Sequence, residues 1–229
     1  MTDALISTDI NESQGPVLDI DIVSDVMCPW CIIGYKQLEQ ALAITGMGAR
    51  IRWHPFELNP NMPLTGQNTS EHIQEKYGST PEQSAQSRNQ MQALGLELGF
   101  TFNWSPESRM WNTFITHQLL DFALSQGKQH PLKMALLIAH FTDQRDLSKK
   151  DVLIDVATSV GLSAIDAARV IDSGELAETV REKQQFWTSR GVSGVPSMIF
   201  GGKYLVTGAQ GADNYAEILR RTAAETEAA

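Results

Sequence analysis

Asp25-Val26-Met27-Cys28-Pro29-Trp30-Cys31 contains both cysteines of the 229-residue chain, with two residues between them. The stretch lies where an apolar run (Val17, Leu18, Ile20, Ile22, Val23) gives way to a helical pattern. A C-x-x-C that a strand delivers to the start of a helix is the arrangement of a redox dithiol. A helix beginning at Cys28 aims free backbone N–H groups and the positive end of its dipole at the first sulfur. Thiolate is thereby favoured over thiol, so Cys28 is expected to ionise readily and to be the attacking nucleophile. Pro29 suits the first turn, where its fixed φ matches the helix and its missing N–H costs nothing. Cys31, one turn on and expected to be more buried, is placed to resolve a mixed disulfide on Cys28. The Pro29-Trp30 pair between them is expected to tune the redox potential.

Plainer readings fit less well. A structural zinc needs about four ligands, and the chain has no second C-x-x-C and no C-x-x-H or H-x-x-H pair. No metal site is therefore expected. A static crosslink closing so small a loop would constrain the unfolded chain little. Two core cysteines packed as small hydrophobes are the coincidental alternative.

The remaining bulk features bound the class. A hydrophobic content of 42% with 20% charged residues is ordinary for a water-soluble globular protein. A net charge of −9 disfavours nucleic acid and anionic membrane surfaces as partners. Met1 to Asp9 has neither a basic segment nor a long apolar one, so it does not read as a secretory signal. The longest apolar stretches, such as Ala135 to Ala139, are too short to span a bilayer. A cytoplasmic location is expected, and reducing conditions there make a lone C-x-x-C catalytic rather than a permanent crosslink.

Outward from the motif, Val17 to Val23 alternates, with Leu18, Ile20 and Ile22 on one side and Asp19 and Asp21 on the other, which predicts a strand with one wetter face. Cys31, Tyr35, Leu38 and Leu42 form a helical stripe that Gly46 and Gly48 end. Ile51 to Leu58 is the next expected strand, closing a right-handed βαβ unit. Asn59 to Leu64, with two prolines, is an extended loop.

From Ser70 to Gly191 the period becomes helical. Thr80-Pro81-Glu82-Gln83 is a capping box, and Ser105-Pro106-Glu107 and His130-Pro131 start further helices. Ser148 with Asp151 and Ser163 with Asp166 cap two more, and a last helix is expected from about Glu175 to Arg190. Strand signals return in Ser197–Phe200 and Lys203–Val206, joined by the two-residue hairpin signal Gly201-Gly202, before a closing helix from Asn214 to Ala224. A βαβ half and a ββα half thus flank a helical block, giving an α/β (α+β) fold. Val195-Pro196 opens the second half, where a cis Pro196 facing the dithiol would leave the Val195 backbone free to pair with an extended substrate.

Asp25 through Cys31 with Ile32-Ile33-Gly34, together with Gly191-Val192-Ser193-Gly194-Val195-Pro196, resembles the DsbA family of thioredoxin-fold proteins. More narrowly, the chain is similar to the FrnE-like dithiol oxidoreductase/isomerase subgroup. Trp53 to Pro60, Asn112-Thr113-Phe114 with His117, and Gly208-Ala209-Gln210 also fit that pattern, and the resemblance spans about residues 17–220. Ser197-Met198 departs from the commoner Thr-Phe pair. The resemblance implies a thioredoxin-like domain in two halves, 17–65 and 188–224, interrupted by an all-helical insertion at 66–187, while the unpatterned polar stretch 1–16 and the Ala/Glu/Thr tail 225–229 read as flexible termini. It also implies Asn112 as a hydrogen-bonder on the substrate side.

Secondary candidates are weighed singly. Asp25 is either a proton shuttle for Cys31 or a strand-end cap. His54 and His117 read first as packed core histidines with one satisfied nitrogen. Trp104 and Trp111 read as core or groove-lining residues. No phosphate-cradling glycine loop follows the strand, so no nucleotide cofactor is expected, and none is expected to be tightly bound. The leading function is a thiol-disulfide oxidoreductase or isomerase acting on disulfide- or thiol-containing proteins or small molecules. Glutathione is a candidate co-substrate. The alternatives are a glutathione-dependent isomerase or transferase of the 2-hydroxychromene-2-carboxylate isomerase/kappa class, whose members typically carry Ser where Cys28 stands, and a non-enzymatic redox-sensing or metal-binding module.

Overall fold

A computed structural model describes residues 8–10 and 15–227. Nine helices and seven strands are seen among them, β1 (Thr8–Ile10) and β2 (Val17–Ser24) preceding α1 (Pro29–Thr45), and then β3 (Gly48–Pro55). After β3 come β4 (Gln67–Asn68), α2 (Thr69–Tyr77), α3 (Pro81–Glu97) and β5 (Arg109–Met110). Helices α4 (Phe114–Ser125), α5 (Gln129–Phe141), α6 (Lys150–Ser159), α7 (Ala164–Ser173) and α8 (Ala177–Thr188) complete the block. β6 (Ser197–Phe200), β7 (Tyr204–Thr207) and α9 (Ala212–Glu227) close the chain.

The main sheet has the order β1-β3-β2-β6-β7. β2 and β3 run parallel, joined by α1, and β6 and β7 add antiparallel strands to the β2 edge. The alternation read from β2 holds. Leu18, Ile20 and Ile22 enter the core with Leu38 and Leu42 of α1 and Tyr215 and Leu219 of α9. On the other face Asp19 pairs with Arg50, while Asp21 takes Arg52 and His54. β1 reaches only Ala49 to Ile51 of β3. Further along, the Gln129 side chain satisfies the edge by accepting from Trp53 N–H and donating to Trp53 O, both at 2.9 Å.

The helical block has its own core in α4 to α7, but it is not sealed off from the sheet. Met91, Phe100, Phe102, Leu137 and Phe141 pack into the cluster built on the sheet, and Val26 and Met27 pack into the cluster of α4 to α7. The redox motif therefore sits in the seam between the two halves of the fold.

Several expectations are corrected. Thr8–Ile10 lies in the stretch expected to be a flexible arm, yet it pairs antiparallel with β3, which offers an open edge of backbone groups. The other residues of 1–14 lie outside the described ones. The tail from 225 also differs, because α9 continues to Glu227 in good helix formers rather than stopping at Ala224. β3 begins at Gly48 and ends at Pro55, whose missing N–H cannot continue the ladder. No helix follows Ser105-Pro106-Glu107. Ser105 N–H donates to Ser108 Oγ and Glu107 N–H to Ser105 Oγ, folding a turn, and α4 starts at Phe114. The block is not all-helical either, since β4 and β5 form a short antiparallel pair. Ser148 bonds Asp146 instead of capping α6, whose N-cap is Lys149. The last helix of the block runs from Ala177 to Thr188. The β6–β7 loop has three residues, Gly201 to Lys203, with both glycines at positive φ (57° and 68°).

Candidate active site

β2 carries the chain up to Ser24, and Asp25 to Cys28 turn it into α1. Cys28 is the N-cap of α1, with extended backbone angles of φ −95° and ψ 111°, and Pro29 takes the first turn. Cys28 is 4% exposed and Cys31 is fully buried, and the two thiols are not joined. Burial, and then the neighbouring Cys28, push the Cys31 thiol well above its ordinary value; Lys133 offsets this only in part. Trp30, by contrast, is exposed at the motif's outer edge.

The Val195–Pro196 peptide bond is cis. The Cys28 thiol donates to Val195 O across 3.6 Å, bringing the two halves of the chain together at the reactive sulfur. Close approach of α1 to this loop depends on Gly34. A Cβ there would stand 3.2 Å from Pro196 Cγ and 3.4 Å from Met198 Cε, tighter than ordinary contact. Ser197, one of the departures from the family pattern, donates from Oγ to Gly194 O at 2.8 Å and so braces the same loop.

Beneath the motif, Asp25 is 1% exposed and fully engaged. Its Oδ1 accepts from Met27 N–H at 3.2 Å; its Oδ2 accepts from Leu58 N–H at 2.7 Å and from Thr113 Oγ1 at 3.3 Å. His117 Nε2 lies 3.7 Å from Asp25 Oδ1 and 3.0 Å from Phe56 O. Burial alone would raise the Asp25 carboxyl, but His117, the Leu58 N–H and Lys133 together hold it below the usual carboxylate range. Asp25 thus ties the strand end through these bonds, and His117 beside it is a packed histidine, 2% exposed, with Nε2 on Phe56 O.

His54 is on the opposite face of the sheet. Its Nε2 lies 2.7 Å from Asp21 Oδ1 and its ring packs on Trp187. Asn112, expected on the substrate side, spends its amide elsewhere. Nδ2 donates to Met62 O and Oδ1 accepts from Phe114 N–H, which turns the chain into α4. Trp104 lines the cleft described below, whereas Trp111 packs with the α4–α7 cluster.

A cleft of about 320 Å³ opens on Cys28, within the size range of small-molecule sites. Its walls include Trp30, Met91, Trp104 and Phe141, and α3 contributes Ser84, Ser87 and Arg88. Sequence reasoning passed over Arg88, Ser84 and Lys133, and named Thr113 only within the family resemblance. Lys133 alone left a signal. It shares a four-residue spacing with Gln129, Leu137 and Phe141, all buried, so a lysine sits on the core stripe of α5. It is 1% exposed, its Nζ lies 5.3 Å from the Trp53 ring centre, and burial pushes its basicity down while Cys31 and Asp25 pull it back up. Among the described residues, no three His, Cys, Asp or Glu side chains gather as a metal site would require.

Residues 19–220 match the family model of the DSBA-like thioredoxin domain. The Bacillus subtilis (strain 168) protein YwbO is 24% identical over 195 residues, covering 85% of this chain and 92% of that one. A crystal structure described as a probable DsbA oxidoreductase from Streptomyces coelicolor superposes with a TM-score of 0.85 at 27% identity, over 91% of each chain. The Pseudomonas aeruginosa cytosolic disulfide reductase DsbM, solved with glutathione, shares the fold at a TM-score of 0.61 and 15% identity, over 89% of this chain and 98% of that one.

Proposed function

Since the chain belongs to the DsbA-like thioredoxin domain family, we propose that it is a thiol-disulfide oxidoreductase and isomerase with Cys28 as nucleophile and Cys31 as resolving thiol. The observation that carries this is the pairing of a cleft-lining Cys28 at a helix N-terminus with a fully buried Cys31 one turn behind it. Cys28 thiolate attacks one sulfur of a substrate disulfide, forming a mixed disulfide and releasing the other sulfur as a thiol. Cys31, after giving up its proton, attacks the Cys28 sulfur, closing Cys28–Cys31 and releasing the second substrate thiol. The protein loses two electrons and the substrate gains them; the reverse sequence oxidises a substrate dithiol. Isomerisation uses the first step, after which a different substrate thiol attacks the substrate sulfur of the mixed disulfide, forming a new substrate disulfide and releasing Cys28. Val195 and Pro196, at the thiol, are the proposed docking backbone for an extended substrate.

Finer parts of the proposal have their own supports. The FrnE-like placement rests on the motifs from Trp53 to Pro60 and at Gly208-Ala209-Gln210. Glutathione as co-substrate, and a cytoplasmic setting, are supported by the shared fold with DsbM, which is described as cytosolic and was solved with glutathione. No helix among the described residues is long and apolar enough to cross a membrane. Substituting Cys31→Ser tests the scheme, because Cys28 then has no resolving partner. A stable adduct on Cys28, seen by intact mass after exposure to a disulfide, is expected; no adduct with any disulfide refutes the scheme.

A further inference from the structure

The lining of the cleft that holds Cys28 is unlike the surface of an acidic protein. Two of its lining residues are arginines, Arg88 and Arg109, and no aspartate or glutamate lines it, although the chain carries a net charge of −9. Arg88 Nη1 donates only to Ser70 Oγ at 3.3 Å, and Arg109 Nη2 donates to the carbonyls of Thr65 and Gly66. Neither guanidinium meets a carboxylate among the described residues, so each keeps unused donors, although that of Arg109 also lies over the Trp111 ring at 5.4 Å.

A second, independent observation points into the same space. Ser84, 5% exposed and one turn before Arg88 on α3, has a buried Oγ with no hydrogen-bond partner among the described residues. Buried polar atoms are ordinarily satisfied, so one left without a partner in a residue that lines a cavity calls for a polar group to complete it. Met91, one turn beyond Arg88, lies on the same face of α3, and with Trp104 and Phe141 it gives the cleft an apolar wall. A planar guanidinium next to apolar walls selects a carboxylate on an apolar body.

We propose that this cleft binds a small disulfide that carries a carboxylate on an apolar body, with Arg88 and Arg109 receiving the carboxylate, Ser84 a further polar atom, and the disulfide presented to Cys28. This rests on Cys28 being the attacking thiol and narrows that reading to small anionic substrates. In the reaction, Cys28 thiolate displaces one half of the disulfide as a thiolate, which takes a proton from solvent. Cys31 then displaces the second half, leaving Cys28–Cys31 oxidised and two small thiols reduced.

The test is a stopped-flow comparison of the reduced full chain with two aromatic disulfides. One is 5,5′-dithiobis(2-nitrobenzoate), which bears two carboxylates, and the other is uncharged 2,2′-dithiodipyridine. Each rate is normalised to that of a simple thiol. The wild-type protein should favour the anionic disulfide, and added salt should erode that preference as it screens the guanidiniums. Arg88→Gln should lower the anionic-to-neutral ratio about tenfold, and Arg88→Lys should restore part of it. An unchanged ratio in Arg88→Gln, or no anion preference in the wild type, overturns the subsite while leaving the dithiol chemistry standing. An equal Arg88→Gln penalty on an acidic scrambled-disulfide protein assigns the site to protein carboxylates and overturns the small-molecule part. If neither disulfide oxidises the Cys28–Cys31 pair, the oxidoreductase reading falls as well.

Discussion

Asp25→Asn is expected to cost stability in a way that depends on pH. The carboxylate ties three distant segments. Oδ1 holds Met27 N–H at the motif, while Oδ2 holds Leu58 N–H after β3 and Thr113 Oγ1 before α4. An amide keeps one oxygen and presents an NH₂ in place of the other. Whichever way it is turned, either the Met27 or the Leu58 N–H faces a donor. One charge-assisted hydrogen bond is lost and one buried N–H is stranded, for a total of about 3 kcal/mol. In a chain of this length that is about 6–12 °C in Tm. Asp25 is held below its ordinary carboxylate value in the folded protein. Its contribution is therefore complete above the unfolded value, near 3.9, and is lost as pH falls through the lower folded value. Urea unfolding of both proteins from pH 7 to pH 3 should show the difference narrowing below about pH 4. A difference under about 0.5 kcal/mol at pH 7, or one that does not change with pH, refutes the reasoning.

Three further outcomes follow from buried basic groups. Lys133→Met removes the cation that partly offsets the upward push on Cys31. The pH midpoint for resolving a Cys28 mixed disulfide should then move up, and an unmoved midpoint in quenched-flow mass spectra contradicts the assignment. Burial lowers His130 to about 4, with Trp53 Nε1–H donating to its Nδ1 at 3.1 Å. The unfolded chain takes up a proton that folded His130 refuses, so the wild type should lose stability as pH falls from about 6.5 to about 4, by roughly 3 kcal/mol. His130→Gln should flatten that part of the stability–pH curve. His140, likewise lowered to about 4 by burial, leaves a residual slope that His140→Gln should remove.

What could be read in the sequence was what depends on near neighbours. The change of period at Cys28 marked the end of β2 and the start of α1, and Gly46 marked the helix end, because strand alternation, helix stripes and caps are local. Pro196 was legible for the same reason, standing at the head of an apolar strand. Ser105-Pro106-Glu107 misled because a capping signal starts a helix only if an apolar stripe follows it. Here the Ser105 and Ser108 hydroxyls close a turn instead. The surroundings of the dithiol were hidden for a different reason. Thr113 meets Asp25 across 88 positions, whereas the approach of Val195 to Cys28 across 167 was expected from Val195-Pro196 at the head of the second half. Arg88 and Ser84 reach the cleft only because α3 folds back over the motif. Nothing in their local sequence distinguishes them from a solvated helix face.

Equilibration of the reduced protein in glutathione redox buffers, followed by acid quench and mass analysis of Cys28 and Cys31, tests the central claim most directly. The account predicts a single two-electron transition between the free dithiol and an intramolecular Cys28–Cys31 disulfide, with a potential between about −270 mV and about −120 mV. Accumulation of glutathione on Cys28 with no intramolecular disulfide at any ratio would contradict it.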